Sequence, residues 1–390
     1  MNYQSLTPHD ATGLLSLVGL VVLFIGLLFL IRRTQQKRLQ QAQAAPAAAA
    51  KPFPQNLEAR LQILPDSGEQ RQERLAQLRQ AYADWQSAYW LRGLDGATEF
   101  LRGQTTKRGL RYQISATSLV QGLAMLIQTQ MAEKGDDSRA GFEHLLACLL
   151  SRPAQDFPAL SSWLFMPDLP TSPRLQSDLH AEAWILSALL AAERQWGSLE
   201  RFDLNQVLAE RARALPDALR NESEEDSAVF SPFLYRIIAR GFPDPIWHSR
   251  ADADWKALVP RLRVGKGLPA RQEALSMLQI GLEGILQPDG DFPQWSDLAF
   301  ARLKRALTSL GELDGEVEEG FSRLASFCCC VPLAAADKNG AEAEGLWSRL
   351  IQAQAARQDA LGASLRLLTM MMLAETFWLG ESEAPVTQEV

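Results

Sequence analysis

The chain has 390 residues, 47% of them hydrophobic, and a net charge of −7. That length holds one large domain or two ordinary ones, and the acidic balance argues against a general nucleic-acid binder. Four cysteines, Cys148 and the adjacent Cys328, Cys329 and Cys330, have no CxxC spacing. This speaks against a disulfide framework or a zinc site and fits buried free thiols in a reducing compartment.

After a short tail, 1–10, the segment 11–31, ATGLLSLVGLVVLFIGLLFLI, carries no charge. Its length at helical rise crosses a hydrocarbon core. A cleaved signal peptide would want a basic start and small residues at the cut. Neither is present, so the segment is expected to be an uncleaved anchor. Arg32, Arg33, Lys37 and Arg38 follow it. The positive-inside rule then places the C-terminal part in the cytoplasm, as a single-pass inner-membrane protein, with a periplasmic domain as the alternative. Residues 32–55 are basic and then rich in Ala, Pro and Gln, and read as a linker.

From 56 to about 380 the helical period recurs, at 69–91, 117–132, 137–151, 178–195, 203–217, 227–240, 269–286, 296–311, 340–355 and 359–378. Prolines punctuate the joins, and no alternating β run stands out. The class is all-α, about a dozen helices by this periodicity. Without a repeated consensus of fixed period, a closed or irregular arrangement of hairpins is favoured over a solenoid. The tail 381–390 is expected to fray.

Within 180–196, HAEAWILSALLAAERQW, the residues Ile185, Leu189, Ala192 and Trp196 share one helix face. Asp178 stands where a carboxylate caps a helix. Physics alone gives a buried helix with a polar start. The spacing adds more. Ala181, Glu182, Ile185, Ala188, Leu189, Leu190, Ala192 and Trp196 resemble the signature of glycoside hydrolase family 8, a family of cellulases, chitosanases and xylanases, with His180 in place of its first acid. Upstream, TSLVQGLAML at 117–126 resembles the segment with the family's general acid. Ser118, Gln121, Met125 and Leu126 match; Leu119 and Val120 replace the Glu and Gly. FEHLLACLLSR resembles the helix that follows. FSPFLYRIIARGFPDPIW, 230–247, resembles a later helix and its aspartate-proline turn. FPQWSDLAFARL, 292–303, loosely resembles a late motif, with Asp297 at the acid and Trp295 beside it as a possible sugar platform.

The resemblance implies an (α/α)6 toroid: twelve helices paired into six hairpins around a cleft. It also implies a damaged catalyst. Inverting hydrolysis needs a protonated carboxyl at the leaving oxygen and a carboxylate that activates water. Leucine cannot donate a proton, and losing general acid–base help costs on the order of 10²–10⁴-fold. Ser118, Gln121, His180, Glu182 and Asp297 are therefore expected to be remnants of a cleft, with no retained catalytic residue, no metal site and no cofactor. His9, His144, His180 and His248 lack metal-ligand spacing. The expected role is a membrane-anchored, non-catalytic scaffold or binding protein in bacterial exopolysaccharide synthesis or secretion, in a cellulose-like system. Its partners would be synthase or secretion components, or a β-glucan. One alternative is an active β-1,4-glucan hydrolase using Glu182 and Asp297. Another is a membrane-tethered helical-repeat adaptor, which an open superhelix would favour.

Overall fold

The chain divides into two compact units, 1–48 and 49–390. The computed structural model describes residues 63–64, 68–93, 99–103, 105–108, 111–133, 137–166, 174–221, 231–242, 244–261, 270–286, 313, 316–318, 321–336, 340–356 and 358–377, all in the second unit. The expected anchor at 11–31, the linker 32–55, the expected helix at 296–311 and the tail 381–390 lie outside them. Among the described residues no helix is long and apolar enough to cross a membrane.

Eleven helices are described: α1 (Gly68–Tyr89), α2 (Ser118–Gln130), α3 (Ser138–Leu150), α4 (Leu179–Trp196), α5 (Leu204–Asn221), α6 (Pro232–Gly241), α7 (Pro245–Arg261), α8 (Arg271–Leu286), α9 (Arg323–Ala336), α10 (Gly340–Gln352) and α11 (Ala360–Leu373). Six of them form a closed ring. α2 packs on α4, α4 on α6, α6 on α8, α8 on α9, α9 on α11, and α11 returns to α2. Five of the six carry an outer partner: α3 on α2, α5 on α4, α7 on α6, α10 on α9 and α1 on α11. This is the layout of an (α/α)6 toroid. The closure removes the open superhelix that a repeat adaptor would need.

Composition separates the two layers. Every residue of α2 is buried, polar ones included. A helix covered on all sides is expected to be mostly apolar, and α2, α4 and α11 are, apart from a few buried polar side chains. The outer α5 buries only one side, Leu204, Val207, Leu208, Arg211, Ala212, Leu215, Pro216, Ala218 and Leu219. Ring helices approach closely where glycine allows it. A Cβ on Gly122 of α2 would stand 2.9 Å from Ile185 Cγ1 and 3.2 Å from Ile185 N in α4. A Cβ on Gly281 of α8 would stand 2.5 Å from Leu333 N in α9. On these two helices Met277 meets Cys330, and Gly281 meets Pro332 and Leu333. The contacts advance together along both chains, so α8 and α9 run in the same direction.

Two helices escape the sequence periodicity. α7 begins at Pro245, where Asp244 caps it by accepting the Ile246 N–H at 2.9 Å. The Asp-Pro turn is thus a helix start, since proline suits the first helical position. α9 contains Pro332 and the cysteine trio. Its uniform apolarity leaves no amphipathic period to read. The chain is helix-rich, as the all-α class requires, with short ribbons added at the joins. Four two-stranded antiparallel ribbons are present: β1 (Trp90–Arg92) with β2 (Glu99–Leu101), β3 (Thr105–Arg108) with β4 (Arg111–Ile114), β5 (Ala116–Thr117) with β6 (Leu164–Phe165), and β7 (Glu316–Glu318) with β8 (Phe321–Ser322). Strands of two to four residues are too short to display alternation.

The β5–β6 ribbon positions the site. Ala116 pairs with Phe165 and Thr117 with Leu164, and the Ser118 N–H donates to the Trp163 carbonyl at 3.0 Å. On the other edge the Trp163 N–H donates to the Gln176 carbonyl at 3.0 Å, and Ser162 bridges Ser177. One strip of backbone therefore holds the starts of α2 and α4 side by side.

Candidate functional site

Thr117 caps α2 and Asp178 caps α4. The Thr117 hydroxyl accepts the Val120 N–H at 3.4 Å, and the Asp178 carboxylate accepts the Ala181 N–H at 3.1 Å. These caps fix the first turns, where the two motif segments lie. In α2, Leu119 and Val120 are buried in the hydrophobic core. They pack there and do not line an open groove. Ser118 is buried, its hydroxyl directed at the Trp163 carbonyl at 3.5 Å. Gln121 behaves like a piece of strand. Its Oε1 accepts the Leu101 N–H at 2.9 Å and its Nε2 donates to the Leu101 carbonyl at 3.1 Å. Both amide ends are thus spent on β2.

Glu182 is 1% exposed. One carboxylate oxygen accepts the Ser161 N–H at 2.7 Å, and the other is paired with the Arg211 guanidinium from α5. Arg211, also buried, donates through its second terminal nitrogen to the Ser161 hydroxyl at 2.9 Å. The three residues form a buried cluster between α4, α5 and the loop before β6. Burial pushes the Glu182 carboxyl above its usual range; the Arg211 charge and the Ser161 N–H pull back against that. Truncating one member of such a pair strands the other charge in the core.

His180 is equally enclosed. The Trp184 indole N–H donates to His180 Nε2 at 3.1 Å. Indole is only a donor, so Nε2 carries a lone pair and the ring is neutral. The proton then sits on Nδ1 and is donated to the Ser231 hydroxyl. Ser231 is held in turn, its N–H donating to Asp254 at 2.9 Å. A charged imidazolium would set Nε2–H against the indole N–H. Burial acts in the same direction and pushes the His180 pKa down to about 4. His180 therefore stays neutral over the pH range in which an ordinary histidine titrates.

The structure brings Ser118, Gln121, His180 and Glu182 to the adjacent starts of α2 and α4, but it gives each a protein partner. The reading in which Glu182 serves an open cleft meets an ion pair instead. Asp297 and Trp295 lie outside the described residues. Among the described residues no group of three or more His, Cys, Asp or Glu could hold a metal ion. All four cysteines are buried and unbridged.

The sequence reading missed the partners: Arg211, Ser161, Ser231 and Trp184. Two were signalled. Trp184 lies four residues after His180, one helical turn on the same face. Arg211 interrupts an apolar stripe at helical spacing, where a cation needs a buried acid. Ser161 and Ser231 lie in or beside joins and left no comparable mark.

No family model matches the sequence, and no curated protein does. Solved structures do match. A β-1,3-1,4-glucanase from Paenibacillus sp. X4 superimposes with a TM-score of 0.62 at 14% identity, covering 85% of this chain and 100% of that one. A cold-adapted family 8 xylanase in complex with substrate gives 0.61 at 12% identity, with 86% and 98% covered. A family 8 glycoside hydrolase from Teredinibacter turnerae, bound to xylobiose, gives 0.58 at 13% identity, with 81% and 96% covered. The fold is that of family 8 glycoside hydrolases. The match spans nearly the whole of those enzymes' chains. At such identities the likeness establishes the fold and no chemistry.

Proposed function

We propose that this protein is a non-catalytic family 8 toroid, tethered to the inner membrane by 11–31, that serves as a scaffold or binding protein in bacterial exopolysaccharide synthesis or secretion. The observation that carries the reading is the closure of the motif site. Where hydrolysis would need two carboxyl groups facing a sugar, Leu119 is core, His180 is locked neutral, and Glu182 is occupied by Arg211 and Ser161. The motif side chains have been converted from reacting groups into packing. The exopolysaccharide setting rests on the likeness to enzymes named for β-glucan and xylan, and the tether on the uncharged segment 11–31 with its basic flank.

Two measurements test this. The detergent-purified chain, incubated with cello- and xylo-oligosaccharides, is expected to release no reducing ends. Turnover that disappears in a folded Glu182→Gln variant would return the protein to the enzymes. For topology, a cysteine introduced near Glu383 is expected to resist a membrane-impermeant thiol reagent in intact cells. Labelling before lysis would place the domain on the outer side.

A further inference from the structure

Two described residues hold the left-handed backbone conformation, Gly197 at φ 70° and Glu375 at φ 53°. Gly197 ends α4 and needs no comment, since glycine adopts this conformation without steric cost. Glu375 ends α11 in the same way. The Thr376 N–H returns to the Met371 carbonyl at 2.9 Å and the Glu375 N–H to the Met372 carbonyl at 3.1 Å. That is the paired hydrogen-bond pattern in which the left-handed position is usually glycine. A side chain there is strained, and such strain persists where the surroundings fix it.

What the side chain does is visible. The Glu375 carboxylate accepts the backbone N–H of Ile63 at 2.6 Å, across 312 positions of sequence. Ile63 and Leu64 are the first described residues of the chain and both are buried, at 1% and 4% exposure. They enter the domain beside the contact of α11 with α1, where the end of the ring meets its beginning. One further bond crosses the same junction, the Trp85 indole donating to the Ser364 hydroxyl of α11 at 3.1 Å. Two more tie α1 to the chain just before α11: the Tyr89 hydroxyl donates to the Ala356 carbonyl at 2.8 Å, and the Trp347 indole of α10 donates to Gln77 at 2.8 Å.

We propose that Glu375 is a clasp, kept in place of glycine because its carboxylate seats the incoming chain at Ile63 on the last ring helix. The clasp couples the backbone at Ile63–Leu64 to the α1–α11 junction. Releasing Ile63 loosens the junction, and a seated Ile63 tightens it. The device stands independently of the exopolysaccharide reading.

Hydrogen exchange followed by mass spectrometry on the full chain tests it with two variants. Glu375→Gly removes the clasp while supplying the residue the backbone prefers; Glu375→Gln keeps a side-chain acceptor of the same length. With the clasp, Glu375→Gly speeds exchange at Ile63–Leu64 and at the facing stretches 78–89 and 360–368 about five- to tenfold, the loss of one or more net hydrogen bonds, with no fall in Tm. Glu375→Gln exchanges as the unaltered chain does. Unchanged exchange in Glu375→Gly overturns the proposal. Fast exchange confined to Ile63–Leu64 overturns the coupling to the junction. A Tm that falls in Glu375→Gly also overturns it, because the side chain would then serve the whole domain.

Discussion

Acid should unfold this domain partly through one imidazole. His180 is neutral in the fold: burial lowers its pKa from an ordinary 6.5 to about 4, and the Trp184 N–H separately requires an unprotonated Nε2. The unfolded chain takes up a proton on His180 as pH falls through 6.5, while the folded chain refuses it until about 4. Between those values the unfolded state binds one more proton, so stability rises with pH there. The contribution is fully present above pH 6.5 and is lost on the way down to pH 4. One pKa unit corresponds to about 1.4 kcal/mol, so the loss is roughly 1.4 kcal/mol by pH 5.5 and about 3 kcal/mol by pH 4. The control is His180→Gln, which offers a donor and an acceptor and does not titrate. Urea unfolding of both proteins at pH 7, 5.5 and 4 gives the comparison. The Glu182 carboxyl, held above its usual range, tilts stability the other way, becoming less favourable to the fold as pH rises. Only the difference between the two proteins at each pH is therefore read. It should shift against the unaltered chain by about 3 kcal/mol between pH 7 and 4. Parallel curves would mean that His180 accepts a proton in the folded state and that the Trp184 argument is wrong.

Removing the cation from the buried cluster should be severe: Arg211→Ala leaves Glu182 without its partner and is expected to cost about 3–5 kcal/mol in denaturant unfolding. Gly281→Ala puts a Cβ 2.5 Å from the Leu333 nitrogen, which is backbone and cannot turn aside. A loss of about 1–3 kcal/mol follows. Gly122→Ala meets chiefly the Ile185 side chain and should cost less in the same assay. The four thiols are buried, and burial raises those of Cys328 and Cys329. An aromatic disulfide reagent should therefore react negligibly with the native chain and titrate four thiols in denaturant.

Much of this protein is written locally. The start of α4 at Asp178, the apolarity of its body, and the left-handed stop at Gly197 all lie within twenty residues, and caps and periodicity depend only on near neighbours. The motif spacing pointed to the family 8 fold for the same reason, since it records which faces of α2 and α4 must pack. Closure of the ring was implied by that resemblance, but no segment specifies the contacts that make it. It depends on α11 meeting α2, and on glycines at 122 and 281 whose need is set by a second helix. The fate of the motif side chains was likewise decided in three dimensions. Glu182 in sequence is an acid with no declared partner; Arg211 arrives from the next helix and Ser161 from the preceding loop, and together they turn it from a candidate reactant into part of the core. His180 shows the boundary most clearly. Its partner Trp184 lies one turn away and was legible, but Ser231 reaches it from α6's doorstep, 51 positions on. A side chain's charge state depends on every group that surrounds it, and chain folding alone brings those groups together.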